Sequence, residues 1–496
     1  MSVEPPTLAP PREAGEPAPA PQPAPARSSL RALRPLVLRL HFYAGVFIAP
    51  FLLVAAVTGL LYAGSFQAEK FVYADQLRVP VGKTELPISQ QVAAARKAHP
   101  EGTISAVRPS PEAGATTRVL LTGVAGVAEG HTLAVFVDPY TGKVRGALES
   151  YGSTGALPLR TWIDELHRDL HLGETGRLYS ELAASWLWVI SGGGLVLWFG
   201  RRRALRKLRG TSGRRRTLGL HGTVGAWAAA GLFFLSATGL TWSTYAGASI
   251  EDLRTALSQT TPSITATVEE HAEHSSSTAG TEGTEGTEGM EGMEGMEGMA
   301  GMDMGTDTST TTESTDVGLD AVLRTARAHG LSDPVEIVPP ADSGTAYVVK
   351  QVQRSWPEKQ DSIAIDPATG EVTDTLRFAD YPVLAKLTRW GIDGHTGILF
   401  GLANQIVLAA LTLALILLIV WGYRMWWLRG RGSAFGRPIP RGAWSRVSPY
   451  VLVPCAAAIA VLGYFVPLLG IPLAAFLTVD VVLGEIAHRR GGRSYA

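Results

Sequence analysis

Four runs of apolar residues constrain the fold of this 496-residue chain more than any other feature. They run from Leu36 to Ala63, Leu182 to Phe199, Leu218 to Tyr245 and Leu399 to Tyr423. Each is long enough to cross a hydrocarbon core of ~30 Å as a helix. A backbone inside lipid must satisfy its own polar groups, so these runs are expected to be helical. The stretch from Tyr450 to Ala487 is about twice as long and carries Pro467 and Pro472 in its middle, which reads as two short spans. The expectation is a polytopic α-helical membrane protein with spans at 36–65, 182–200, 218–246, 396–424, 449–467 and 469–487.

Charge orients the spans. Net charge is zero, yet Arg201 to Arg216 holds nine basic residues and no acid, and Arg424 to Arg446 holds six and no acid. Further arginines sit at 27, 31, 34 and 39 and at 489, 490 and 493. Basic short loops stay in the cytoplasm. Six spans put all four clusters on that side, with 66–180 and 247–398 outside and both termini inside the cytoplasmic membrane. Lipid is the expected partner, and nucleic acid is not. The single cysteine, Cys455, excludes internal disulfides, covalent CxxCH haem attachment, thiolate zinc sites and cysteine-held clusters. Residues 1–28 are rich in Pro and Ala and read as a disordered cytoplasmic tail, not a signal peptide.

A histidine recurs in one setting. Leu40-His41-x3-Gly45 is followed by Thr58-Gly59-Leu60, and Leu220-His221-x3-Gly225 by Thr238-Gly239-Leu240, each seventeen residues after the histidine. Asp138-Pro-Tyr-Thr-Gly142 is echoed by Asp366-Pro-Ala-Thr-Gly370, and His171-Leu-Gly by His395-Thr-Gly. His41 and His221 lie just inside the cytoplasmic ends of their spans. His171 and His395 precede the basic clusters by 30 and 29 residues, which at ~1.5 Å per residue puts them at the outer edge. Imidazoles kept at membrane depth are expensive unless they have a task. An inner and an outer facing pair suit bis-His ligation of two b-type haems. Gly45 and Gly225, one turn after the inner histidines, would leave room for a flat macrocycle or for close helix packing. His167, one turn before His171, competes for the outer site.

Outside the spans, 66–180 and 317–380 share an order of helix, strands and Asp-Pro-x-Thr-Gly turn. Each reads as a small α+β unit. Between them, 247–316 reads as a disordered insert of Thr-Glu-Gly and Met-Glu-Gly triplets. It carries His271, His274, Met290, Met293, Met296, Met299, Met302 and Met304. Thioethers with imidazoles suit Cu(I), and a triplet expansion in an acidic loop gives the same composition.

These motifs resemble the PepSY-associated transmembrane family, which includes iron-regulated membrane proteins and ferric-siderophore reductases. The likeness covers about 36–425, and the α+β units resemble PepSY domains. It implies b-type haem in a four-helix core and electron transfer to ferric chelates outside. The Met-rich insert and last two spans depart from the common four-span pattern. No Rossmann or flavin signature is evident, so the electron donor would be separate, a membrane quinol or a cytoplasmic flavoprotein. The expected activity is haem-dependent ferric-chelate reduction. The alternative is a non-catalytic PepSY membrane protein that binds a peptidase or handles copper through its insert.

Overall fold

The structure, a computed structural model, describes residues 33–208, 213–267, 316–429 and 449–492. The proposed copper ligands, the tail 1–28, residues 209–212 of the first basic loop and most of the second basic loop therefore lie outside the described residues. Among the described residues five helices are long and apolar enough to cross a membrane: Ala49–Val72, Glu174–Arg201, Gly213–Leu240, Gly401–Leu428 and Pro467–Ile486. A sixth apolar helix, Pro449–Phe465, is shorter.

The first span is broken in two by one proline. The helix Arg34–Phe47 ends and Ala49–Val72 begins on either side of Ile48, with Pro50 in the first turn of the second helix. Pro50 has no N–H to give to the Val46 carbonyl. That carbonyl accepts instead from the Tyr423 hydroxyl at 2.9 Å, which ties the break to another span. The third span ends at Leu240, and Thr244–Ala256 is a separate helix capped by the Ser243 hydroxyl accepting from Gly247 N. The start of the expected insert is therefore helical, and Thr267 beyond it bridges to Thr345.

The last two helices form a hairpin against the others. Trp186 Nε1 donates to the Leu468 carbonyl at 3.2 Å. Leu469 and Leu473 are buried in the same core as Ala49, Leu52, Ala183 and Trp186. Arg39 Nε and Nη2 donate to the two Asp480 carboxylate oxygens at 2.8 and 2.6 Å, and both side chains are buried. A bidentate pair of this kind satisfies a cation that would be costly alone in lipid.

The two α+β units are halves of one sheet. Strands β1 (Thr103–Arg108), β2 (Thr117–Thr122), β3 (His131–Val137) and β4 (Val144–Tyr151) come from the first segment. Strands β5 (Val335–Val338), β6 (Tyr347–Gln351), β7 (Ser362–Ile365) and β8 (Val372–Leu376) come from the second. The order is β4-β3-β2-β1-β5-β6-β7-β8, antiparallel throughout, with the seam at Val107 opposite Ile337. Joining β1 to β5 removes two edges that would otherwise be exposed. Glu336 pairs across the seam with Arg108 and within its own half with Lys350. Burial alone would raise the Glu336 carboxyl, but these cations hold it down to about 2. Helices Ile88–Ala98 and Gly318–Ala328 bury Val92, Ala95, Val322 and Ala326 against one face. The expected Asp-Pro-x-Thr-Gly turns form, and in each the aspartate closes an Asx turn, Asp138 accepting from Tyr140 N and Asp366 from Ala368 N.

Two short amphipathic helices, Pro158–Arg168 and Val383–Thr396, link the sheet to the spans. Sequence reading had assigned neither as an element. Pro158 presets the first turn of one, and Gly397, at φ +88°, ends the other in the left-handed conformation.

Candidate functional site: two facing imidazole pairs

At the end of the bundle away from the sheet, the His41 and His221 ring centroids are 6.2 Å apart. His41 Nδ1 lies 2.9 Å from the Ile190 carbonyl, and His221 Nδ1 lies 3.1 Å from the Leu418 carbonyl. A carbonyl can only accept, so both Nδ1 atoms carry the proton and both Nε2 atoms keep a lone pair. The helices approach closely here. A Cβ on Gly194 would stand 3.2 Å from His41 Cε1, and one on Gly422 4.0 Å from His221 Cε1.

At the sheet end the facing rings are His167 and His395, 6.4 Å apart. Thr58 Oγ1 is 2.8 Å from His167 Nδ1, and Thr238 Oγ1 is 2.7 Å from His395 Nδ1. Each hydroxyl already donates to a backbone carbonyl, Thr58 to Val54 at 2.9 Å and Thr238 to Phe234 at 2.7 Å. It can therefore only accept from the imidazole, which again leaves Nε2 with a lone pair. Burial pushes His167 down to about 4 and, with His167 beside it, His395 down to about 3, so both rings are neutral.

The Thr-Gly repeats thus have a role that sequence reading did not assign. The threonine orients the ring, and the glycine clears space for it. A Cβ on Gly59 would stand 3.2 Å from His167 Cε1, and one on Gly239 3.4 Å from His395 Cε1. Gly45 has open space beside it, whereas Gly225 faces the Leu418 side chain at 3.5 Å and serves helix packing.

The structure does not bring His171 to His395. His171 occupies a tight turn at φ +55°, is close to Glu165 at 3.3 Å, and stacks near Trp162 at 5.1 Å. A sequence signal for His167 existed. Trp162-x4-His167 matches Trp390-x4-His395, and 29 residues separate both Asp138 from His167 and Asp366 from His395.

A cavity of about 240 Å³ opens between the sheet-end rings. Small residues line its walls, among them Ala55, Ala56, Gly59, Ala183, Ser236 and Gly239, while Tyr151, Arg168, Arg177 and Arg354 line its polar part. Among the described residues there is no group of three or more His, Cys, Asp or Glu able to hold a bare metal ion. Paired imidazoles with no third protein ligand suit a metal that brings its own equatorial ligands.

The family model described as PepSY-associated TM region matches residues 38–429. The chain belongs to this family. The match takes in all four paired histidines and the sheet, and it ends before the C-terminal hairpin. Among curated proteins none matches the chain. As a PepSY-associated TM protein with several apolar helices, it is a multi-pass membrane protein.

Proposed function

We propose that the protein moves electrons across the cytoplasmic membrane through two b-type haems and reduces a ferric complex on the sheet side. The observation that carries this reading is the imidazole geometry. Two metal–imidazole bonds of roughly 2.0–2.1 Å plus two ring radii come to about 6.4 Å between centroids. The two pairs stand at 6.2 and 6.4 Å. All four Nδ1 protons are engaged, the arrangement that fixes the tautomer and orientation of metal-bound histidine.

The residues present fit the group. Gly59 and Gly239 make a cradle that a Cβ would crowd, and Arg177 Nε and Trp242 Nε1 are buried donors without an acceptor beside the same cavity. His41 and His221 would hold one haem, and His167 and His395 the other. Bound haem supplies a one-electron carrier at each end of the bundle. The chain's own residues hold the rings neutral, exclude lipid and water, and keep the two sites at fixed depth. Along Gly213–Leu240, His221 and Thr238 are seventeen residues apart, or ~25 Å of helix, most of the hydrocarbon core. Basic loops in the cytoplasm put the sheet outside. A separate donor, quinol or flavoprotein, supplies the electron. Reducing Fe(III) to Fe(II) weakens its hold on hard oxygen ligands and releases it.

The test is the absorption spectrum of the purified protein. Two haems per chain, reducible by dithionite, are expected, together with reduction of an external ferric chelate by the protein in vesicles. A colourless protein would overturn the reading and favour the binding alternative, in which the sheet recruits a peptidase or the insert handles copper.

A further inference from the structure

We propose that Arg177 and Trp242 form a carboxylate-binding site beside the His395 ring, and that its ligand is a propionate of the haem held there. The inference rests on the haem reading above.

Arg177 stands in the first turn of the long helix Glu174–Leu208, and Trp242 follows the end of Gly213–Leu240. Both line the sheet-end cavity. Arg177 Nη2 donates to the Trp242 carbonyl at 3.3 Å, which holds the two residues together. The Trp242 ring stands edge-on to His395, with centroids 5.4 Å apart. Arg177 Nη1 has only Glu174, at 3.4 Å and largely exposed. Arg177 Nε and Trp242 Nε1 are buried and have no acceptor.

Buried N–H groups in folded proteins are nearly always paired. Two orphans on touching residues that both line one cavity point to an acceptor that enters from it. A guanidinium beside an indole N–H selects an anionic oxygen. The chain's own carboxylates in the lining face other partners. Glu181 accepts from Tyr245 N and Ala246 N, and Asp164 pairs with Arg168 at 4.0 Å. The other lining arginines are committed too, Arg354 to Asp393 at 2.7 Å and Arg168 to Asp169 at 3.2 Å and to the Tyr151 hydroxyl at 2.9 Å. Arg177 is therefore the cation left with a donor to offer. Haem b carries two carboxylates, whereas the walls near Leu52, Leu187 and Leu232 offer them nothing.

The experiment reconstitutes protein from haem-starved cells with iron protoporphyrin IX or with its dimethyl ester, in which both carboxylates are blocked. The two haems are followed separately by their midpoint potentials. In the wild type the sheet-end site should retain the free acid at least roughly tenfold better than the ester, the scale of one charge-assisted hydrogen bond. Arg177→Leu should erase most of that preference, and Trp242→Phe, which keeps a ring but removes the N–H, should erase part of it. The haem at His41 and His221 reports folding and should be unchanged in both variants. Equal retention of acid and ester by the wild type overturns the proposal. So does Arg177→Leu with an undiminished preference for the acid. A weaker grip on a carboxylate-bearing ferric chelate in that variant, with haem retention intact, would assign the donors to substrate and also overturn it. A wild type that takes up no haem overturns the haem reading as well, a distinct outcome. Should Arg177→Leu fail to assemble, Arg177→Lys keeps the charge without Nε and should show an intermediate preference.

Discussion

The two imidazole pairs have nearly the same separation, 6.2 and 6.4 Å, but different support. Away from the sheet both rings belong to helices of the bundle and lean on main-chain carbonyls of neighbouring helices. Beside the sheet both rings come from short helices outside the bundle and lean on threonine hydroxyls of the spans. The carbonyl-held pair is built into helix–helix packing and cannot be altered without moving a helix. The threonine-held pair is assembled from two modules and opens to a cavity. In the proposed function the first site would relay an electron and the second would hand it over.

Removing a ring breaks the comparison most severely. His221→Ala should abolish the haem away from the sheet and spare the other. His395→Ala should do the reverse, leaving a protein that accepts electrons from the cytoplasmic side but no longer reduces external ferric chelate. Loss of both haems from either single variant would show that the sites are not independent.

The threonines come next. Thr58→Val or Thr238→Val removes the acceptor from Nδ1–H while keeping the shape, and should weaken haem retention at the sheet end 10- to 100-fold. The other site should not change. Titration of each haem by difference spectra measures this, and equal losses at both ends would refute the asymmetry.

A smaller effect is expected of Gly59→Ala. Its new Cβ would stand 3.2 Å from His167 Cε1, so the ring must shift by a few tenths of an ångström. A cost of about 1 kcal/mol, or roughly fivefold in haem retention, is the scale for mild overpacking. Smallest of all, His171→Ala should leave both haems and both potentials unchanged, because that ring faces Glu165 and Trp162. Loss of the sheet-end haem in this variant would return His171 to the site.

The same contrast explains what could be read from sequence. His41 and His221 lie inside apolar runs, where an ionisable residue stands out, and their paired motif locates them. The His-x-Gly echo points to His171 and His395, and it leaves His167 as a competitor one turn earlier on what reads as the same helix. The chain in fact leaves that helix at Arg168 and passes His171 through a left-handed turn. A local φ decides which ring faces the cavity, and hydropathy does not encode it. The seam between β1 and β5 was equally invisible. It joins residues more than two hundred positions apart through a single register pair. The strands Thr117–Thr122 and His131–Val137 were legible because β-type composition is local.

The pairing of Arg39 with Asp480 sets a timetable for assembly. The two residues are 441 positions apart, one in the helix Arg34–Phe47 and the other in the helix Pro467–Gly492. Until residue 480 is made, the helix that carries His41 also carries a cation whose carboxylate partner does not yet exist. The four histidines are all translated by then, so closure of the hairpin is the step that completes the bundle around them. A chain that ends before residue 480 would contain every proposed haem ligand and still lack the counter-charge beside the first of them. The hairpin thus supplies the helix that carries His41 with a counter-charge made 441 residues later in the chain.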